Sequence, residues 1–165
     1  VGAGGVAKAA AAVIVSAGAT AVIYNRTAER AERLAADVNE SIVDNARNDS
    51  AGKAVAASLD LLPKACCEAF INCTPIGMTG GPDPDGLSIP IPDMKNATGS
   101  TAFFDTVYNP IETPMLKAAR EHGFRTIDGV EMFVRQAAAQ SELWTGEQAP
   151  MQLFDRLVRE RLGGD

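Results

Sequence analysis

The chain opens Val1-Gly2-Ala3-Gly4-Gly5-Val6-Ala7, a G-x-G-x-x-A stretch that runs into an alanine-rich segment. In a strand-turn-helix unit each of these positions has its own task. An apolar residue ends the strand, Gly2 makes the tight turn, Gly4 lets backbone approach a diphosphate, and Ala7 keeps the following helix close to the sheet. A helix from about Gly5 to Ala17 points its free N–H groups, and a dipole end worth roughly half a charge, at an anion. Taken alone, such a turn also fits a plain structural bend. The residues downstream decide between the two.

The next strand reads Thr20-Ala21-Val22-Ile23-Tyr24 and runs into Asn25-Arg26-Thr27-Ala28-Glu29-Arg30. In an NAD site an acidic residue about 20 positions past the glycines receives the ribose 2′-hydroxyl, whereas a basic residue there suits the 2′-phosphate of NADP. No carboxylate ends this strand. Arg26 can fork two donors onto phosphate oxygens, Arg30 follows one helical turn later, and Asn25 and Thr27 add uncharged donors. The expectation is NADP rather than NAD. The competing reading makes Arg26 and Arg30 ordinary solvated residues at a helix start, with Thr27 as its N-cap.

With 165 residues the chain is long enough for one sizeable core, and a single domain over 1–165 is expected. A net charge of −6 and a pI of about 4.8 disfavour nonspecific nucleic-acid binding. No stretch reads as a signal peptide or a membrane span. Cys66, Cys67 and Cys73 have no C-x-x-C spacing and no histidine partner, so buried thiols in a reducing compartment are expected rather than a metal site. The fold expected is α/β, a Rossmann-like doubly wound parallel sheet in three layers. Its first strand is truncated, because only Val1 precedes the glycine turn although that strand is the central one of such a sheet. This suggests a segment of a longer polypeptide with another domain upstream.

Farther along, Ala9, Ala10, Val13, Ile14 and Ala17 form the expected inner stripe of the first helix, ended by Gly18. A second helix spans about 27–38 with Ala28, Ala31, Leu34, Ala35 and Val38 inward. The polar run Asn39 to Lys53, with Asn45, Asn48, Asp49 and Ser50, reads as loop in its latter half. A short strand is expected at 55–57 and a short helix over 59–69 with Pro63 near its start.

Phe70-Ile71-Asn72-Cys73 is the next strand, and it enters Thr74-Pro75-Ile76-Gly77-Met78. Ligands sit at strand ends of parallel sheets, so the Thr74 hydroxyl and nearby backbone groups face the nicotinamide half of a cofactor. Residues 79–92, rich in glycine and proline, read as a mobile surface loop. Thr101-Ala102-Phe103-Phe104-Asp105 is a strand leading to Tyr108, whose phenol is placed in the same crevice. A helix from 115 to 121 ends at His122, read as a cation on a helix C-terminus rather than a catalyst. After the strand Arg125-Thr126-Ile127, Asp128 N-caps a helix carrying Met132, Phe133, Gln136, Ala137 and Gln140 on one spacing. Gln136 then needs partners, and Gly129 lets the nicotinamide approach the backbone. The last helix, 150–162, turns Leu153, Phe154, Leu157 and Val158 inward and leaves Arg156, Arg159 and Arg161 solvated.

Five motifs now stand in order: Gly2-Ala3-Gly4-Gly5; Asn25-Arg26-Thr27-x-x-Arg30; Asn72-x-Thr74-Pro75-x-Gly77-Met78; Asp105-x-x-Tyr108-x-Pro110-x-x-Thr113-Pro114; and Asp128-Gly129-x-x-Met132-x-x-x-Gln136-Ala137. Together they resemble the NADP-binding C-terminal half of the shikimate dehydrogenases, within the shikimate/quinate dehydrogenase family. The likeness is weakest over 39–69. It implies that Gly2, Ala3, Gly4, Gly5 and Val6 hold NADP together with Asn25, Arg26, Thr27 and Arg30. Thr74, Pro75, Met78, Thr106, Gly129 and Met132 complete the cofactor contacts, with Thr106 and Gly129 on the nicotinamide side. Tyr108 and Gln136 are implied to touch shikimate. Members of that family reduce 3-dehydroshikimate to shikimate reversibly in aromatic amino-acid (chorismate) biosynthesis, usually in the cytoplasm, and a homodimer stays open.

The family's catalytic Lys and Asp belong to an N-terminal domain, and no lysine of this chain replaces them: Lys8, Lys53, Lys64, Lys95 and Lys117 fall away from the expected crevice. Hydride transfer needs its two carbons about 3 to 3.5 Å apart and a proton donor on the forming alkoxide. Residues 1–165 alone are therefore expected to turn over shikimate negligibly, which a spectrophotometric assay of the segment checks. Two alternatives stay open, namely quinate/shikimate dual specificity and a dehydrogenase-like sensor module without chemistry.

Overall fold

The computed structural model describes residues 1–43 and 52–163, so Asn45, Asn48, Asp49 and Ser50 of the expected loop lie outside the described residues. The chain sorts into two compact units, Val1–Cys66 with Asp93–Asn96, and Cys67–Pro92 with Ala97–Asp165. Each holds its own parallel sheet. Val1 to Ala3 join no ladder.

In the first unit, β1 (Thr20–Tyr24) pairs in parallel with β2 (Lys53–Ala57), from Thr20 opposite Lys53 to Tyr24 opposite Ala57. The strand expected at 55–57 thus starts earlier. Helix α1 (Gly5–Ser16) packs on β1 and on α2 (Ala28–Val43), and α2 lies against both strands. The inner face of α1 is Ala7, Ala11 and Val15, not the expected stripe. Val13 is 69% exposed, and Ala9 and Ala17 are exposed too. A helix apolar on nearly every side carries no periodicity that selects a face. Helix α2, with charged residues between its apolar ones, buries Ala31, Leu34, Ala35 and Val38 as expected; Ala28, in its first turn, is exposed.

Helix α2 also runs beyond Val38, and this gives Asn39 a structural task. Its Nδ2 donates to the Ala54 carbonyl at 2.9 Å while its Oδ1 accepts from the Ala54 N–H at 2.8 Å. The amide thereby acts as a peptide-like partner on the side of β2 that faces away from β1. The helix expected over 59–69 is instead a 3₁₀ turn, Leu59–Lys64. Pro63 has no N–H to continue an α-helical ladder, and Ala65 returns to extended backbone. Cys66, expected to be buried, is exposed; Cys67 and Cys73 are half-buried, and none of the three is in a disulfide.

In the second unit β3 (Ala69–Asn72), β4 (Ala102–Asp105) and β5 (Arg125–Ile127) run parallel in that order. Phe70, Phe103 and Phe124 form its aromatic centre, with ring centroids 5.2 and 5.1 Å apart across the Phe103 ring, which is fully buried. Helix α3 (Pro114–Glu121) packs on β4 and β5. The Thr113 hydroxyl accepts from Leu116 N–H as its N-cap, and His122 closes it with Nδ1 2.8 Å from the Ala118 carbonyl oxygen. The segment 79–92 is surface loop, as expected, only over 79–87; beyond it Ile89 and Ile91 are in the core, and the buried Ser88 hydroxyl lies 3.2 Å from Met115 Sδ.

Helix α4 (Gly129–Thr145) begins at Asp128, whose carboxylate accepts from Val130 and Glu131 N–H, and it buries Val130, Val134 and Ala138. Helix α5 (Met151–Gly163) packs on α4 with no fully buried residue. Leu153 and Leu157, expected inward, are 38% and 50% exposed. Arg159, expected to be solvated, instead spans Asp155 and Asp128 at 3.0 Å each. The extra charge partners hold its guanidinium above its ordinary pKa, the hydrogen bond to Asp128 first among them. Replacing Phe103 by Ala removes the ring on which Phe70 and Phe124 both pack. A loss of about 3–5 kcal/mol in unfolding free energy is expected from urea denaturation followed by circular dichroism.

Candidate functional site

Two groups of residues stand at the C-terminal ends of the parallel strands, one in each unit. In the first, Gly2 has φ 108°, a value only glycine tolerates, and its N–H donates to the Tyr24 carbonyl at 2.8 Å. That bond seats the glycine turn against the end of β1. Helix α1 starts there with Gly4 as N-cap, no side-chain cap, and no acidic residue in its first turn. A Cβ built on Gly4 or Gly5 meets nothing within 4 Å. A helix start without a side-chain cap leaves N–H groups that can receive an anion.

Arg26 and Arg30 stand just beyond Tyr24. Both are exposed, and neither guanidinium finds a partner among the described residues. The Asn25 amide donates to the Thr27 carbonyl at 2.9 Å, which tightens the turn between β1 and α2. The structure thus gathers Gly2, Ala3, Gly4, Gly5, Val6, Asn25, Arg26, Thr27 and Arg30 around one strand end.

The second group is built on two polar residues that end apolar strands. Asn72 and Asp105 are register partners of β3 and β4, and both are fully buried. Asp105 Oδ1 accepts from Asn72 Nδ2 at 2.9 Å and from Val107 N–H at 3.0 Å, and its Oδ2 accepts from the Thr113 hydroxyl at 2.7 Å. Asn72 Oδ1 in turn accepts from the Thr74 N–H at 2.9 Å and its hydroxyl at 2.7 Å. The Asn72 carbonyl takes the N–H and hydroxyl of Thr106, at 3.1 and 2.8 Å. Thr74 and Thr106, expected on the nicotinamide side, are therefore brought together by a residue for which no role was expected. The signal was available: Asn72 lies two positions from Phe70, and Asp105 two from Phe103, so each shares the inward face of its strand.

The remaining expected residues divide. Tyr108 follows this network, is 39% exposed, and stacks on Phe133 with centroids 4.5 Å apart. Met78 is 37% exposed and Pro75 is exposed. Gln136 is not on a buried face but exposed, one helical turn beyond Phe133, and Met132 is half-buried. Gly129 has a packing reason that differs from the expected cofactor approach. A Cβ there would lie 2.3 Å from the Val107 carbonyl oxygen, so a side chain would push α4 off the loop after β4. A groove of about 680 Å³ lies between α4 and α5, beside Glu142, Ala149, Met151 and Arg156.

A family model for the shikimate 5′-dehydrogenase C-terminal domain matches residues 129–159. The chain is similar to the NADP(+) shikimate dehydrogenase of Methanocella arvoryzae, 39% identical over 163 residues, which is 98% of this chain and 55% of that protein. Among solved structures it is similar to the quinate dehydrogenase from Corynebacterium glutamicum in complex with NAD, with a TM-score of 0.79 and 29% identity over 94% of this chain and 51% of that one. It is also similar to shikimate 5-dehydrogenase from Thermus thermophilus in complex with NADP(H) and shikimate, with a TM-score of 0.63 and 25% identity over 84% and 45%. The chain spans about half the length of the curated relatives it matches.

Burial holds the Asp105 carboxyl above its usual range, even though Thr113, Val107 and Asn72 all donate to it. The folded chain then binds this proton more tightly than the unfolded chain, whose value is 3.8. The resulting stabilisation is complete below that value and is lost as pH rises through the raised folded one. Measured against Asp105→Asn, which does not titrate, the unfolding free energy should decline as pH climbs out of the acid range and then level. A difference that is flat or rising over that window would contradict the assignment.

Proposed function

We propose that the chain, which is similar to NADP(+) shikimate dehydrogenases over about half their length, belongs to that family and is the nucleotide-binding half of an NADP-dependent shikimate dehydrogenase. The whole polypeptide then reduces 3-dehydroshikimate to shikimate, reversibly. The observation that carries this reading is the uncapped, acid-free start of α1 beside two exposed arginines that find no partner among the described residues.

In this reading the N–H groups from Gly2 to Val6 take the diphosphate. Arg26 and Arg30 take the 2′-phosphate, with Asn25 and Thr27 beside them. The donor set fits such a group, since its free donors and cations exceed its acceptors. When bound, the reduced nucleotide supplies the hydride. Thr74, Pro75, Met78, Thr106, Gly129 and Met132 line the nicotinamide end, and they orient it and exclude water. Tyr108 and Gln136, polar groups on exposed positions near the same loops, hydrogen-bond the substrate hydroxyls. An N-terminal half supplies the catalytic Lys and Asp, and with them the proton for the carbonyl oxygen. No helix among the described residues is long and apolar enough to cross a membrane, and a cytoplasmic location is part of the proposal.

The likeness to an NAD-bound quinate dehydrogenase keeps a second substrate and cofactor pair in view. One substitution separates the cofactors. Arg26→Asp in the full-length protein should weaken NADP binding by roughly 1.5–3 kcal/mol more than NAD binding, the worth of a hydrogen bond to a charged group. Calorimetric titration with each nucleotide reads this out, and equal losses would remove the 2′-phosphate assignment. Turnover compared between shikimate and quinate selects the substrate.

A further inference from the structure

We propose that Asp105 is a positioning residue for hydride transfer, and that it sets the spacing between the Thr74 wall and the Thr106–Tyr108 wall of the candidate site. The inference rests on the dehydrogenase reading above and extends it to a residue that touches neither nucleotide nor substrate. Its carboxylate gathers three segments at once: the end of β3 through Asn72, the loop after β4 through Val107 N–H, and the start of α3 through Thr113. Two polar groups expected at the candidate site, those of Thr74 and Thr106, are linked to Asp105 through Asn72. Thr74 and Thr106 are fixed by Asn72, which Asp105 holds. Tyr108 is the residue after Val107, and its ring is held on the other side by Phe133.

The chemistry of the residue fits this task. Three donors converge on it, and a carboxylate can accept all three because it has no hydrogen of its own to direct. Because the carboxylate is fully buried, its removal leaves these three donors without the acceptor that joins them. Asn at this position keeps an oxygen for Asn72 and Val107 and alters only the contact with Thr113. Ala keeps none. The two variants therefore grade the loosening of the walls without touching the arginine end of the nucleotide.

The test uses the full-length polypeptide with NADP and shikimate. Asp105→Ala should lower kcat by about 100-fold, the scale expected for a misplacement of about 1 Å remote from the chemistry, while the Kd for NADP moves less than threefold. Asp105→Asn should recover at least tenfold of that loss. Amide hydrogen exchange of residues 106–108 should quicken in the order wild type, Asn variant, Ala variant. If Asp105→Ala does not fold, Thr113→Val carries the test, with kcat reduced about tenfold at an unchanged nucleotide Kd. An unchanged kcat, or a kcat that falls only in step with the folded fraction, overturns the proposal. A wild-type polypeptide that binds NADP but turns over neither shikimate nor quinate overturns the functional reading instead, and this inference with it.

Discussion

A carboxylate without solvent is the constraint around which the second unit is arranged. Removing an ionised group from water costs several kcal/mol unless its oxygens are satisfied, and Asp105 satisfies both with donors from segments separated in sequence. Those donors cannot move independently. The path of the loop after β4, the cap of α3 and the end of β3 are consequences of one requirement. Gly129 then follows, because α4 must start where the carbonyls of Asp105 and Val107 leave room only for a hydrogen.

The first unit follows the opposite principle. Its glycine turn is anchored by a single bond to the end of β1, and the helix that follows leaves its first N–H groups without side-chain partners. Arg26 and Arg30 likewise stay exposed and unpaired among the described residues. One strand-end group is internally complete and rigid, whereas the other is donor-rich.

Much of this was legible in the sequence, for reasons that differ by element. Charged residues separate the apolar ones in α2, so its inner face could be read directly, and Asp128 announced the start of α4. In α1 alanine and valine occur on every side, and the stripe chosen was the wrong one. Segment 79–92 looked like surface because of its glycines and prolines, yet Ile89 and Ile91 are core; turn residues mark where a chain bends, not where its apolar side chains go. The residues ending β3 and β4 were visible as motif members, but their pairing needed the register that places Asn72 beside Asp105. Arg159 was misread because a cation on a helix face does not disclose a carboxylate that arrives from another helix.

The contact between Asn39 and Ala54 bears on how the molecule behaves in a crowded solution. Strand β2 is Lys53-Ala54-Val55-Ala56-Ala57, with small side chains that give an incoming chain little steric resistance. An open edge of that kind invites pairing with a neighbouring molecule. By occupying both backbone groups of Ala54, the Asn39 amide takes away the bonds such an intruder would use at that residue. A side chain from the adjoining helix thus protects against sticky self-association, at a strand whose own composition provides no safeguard beyond Lys53.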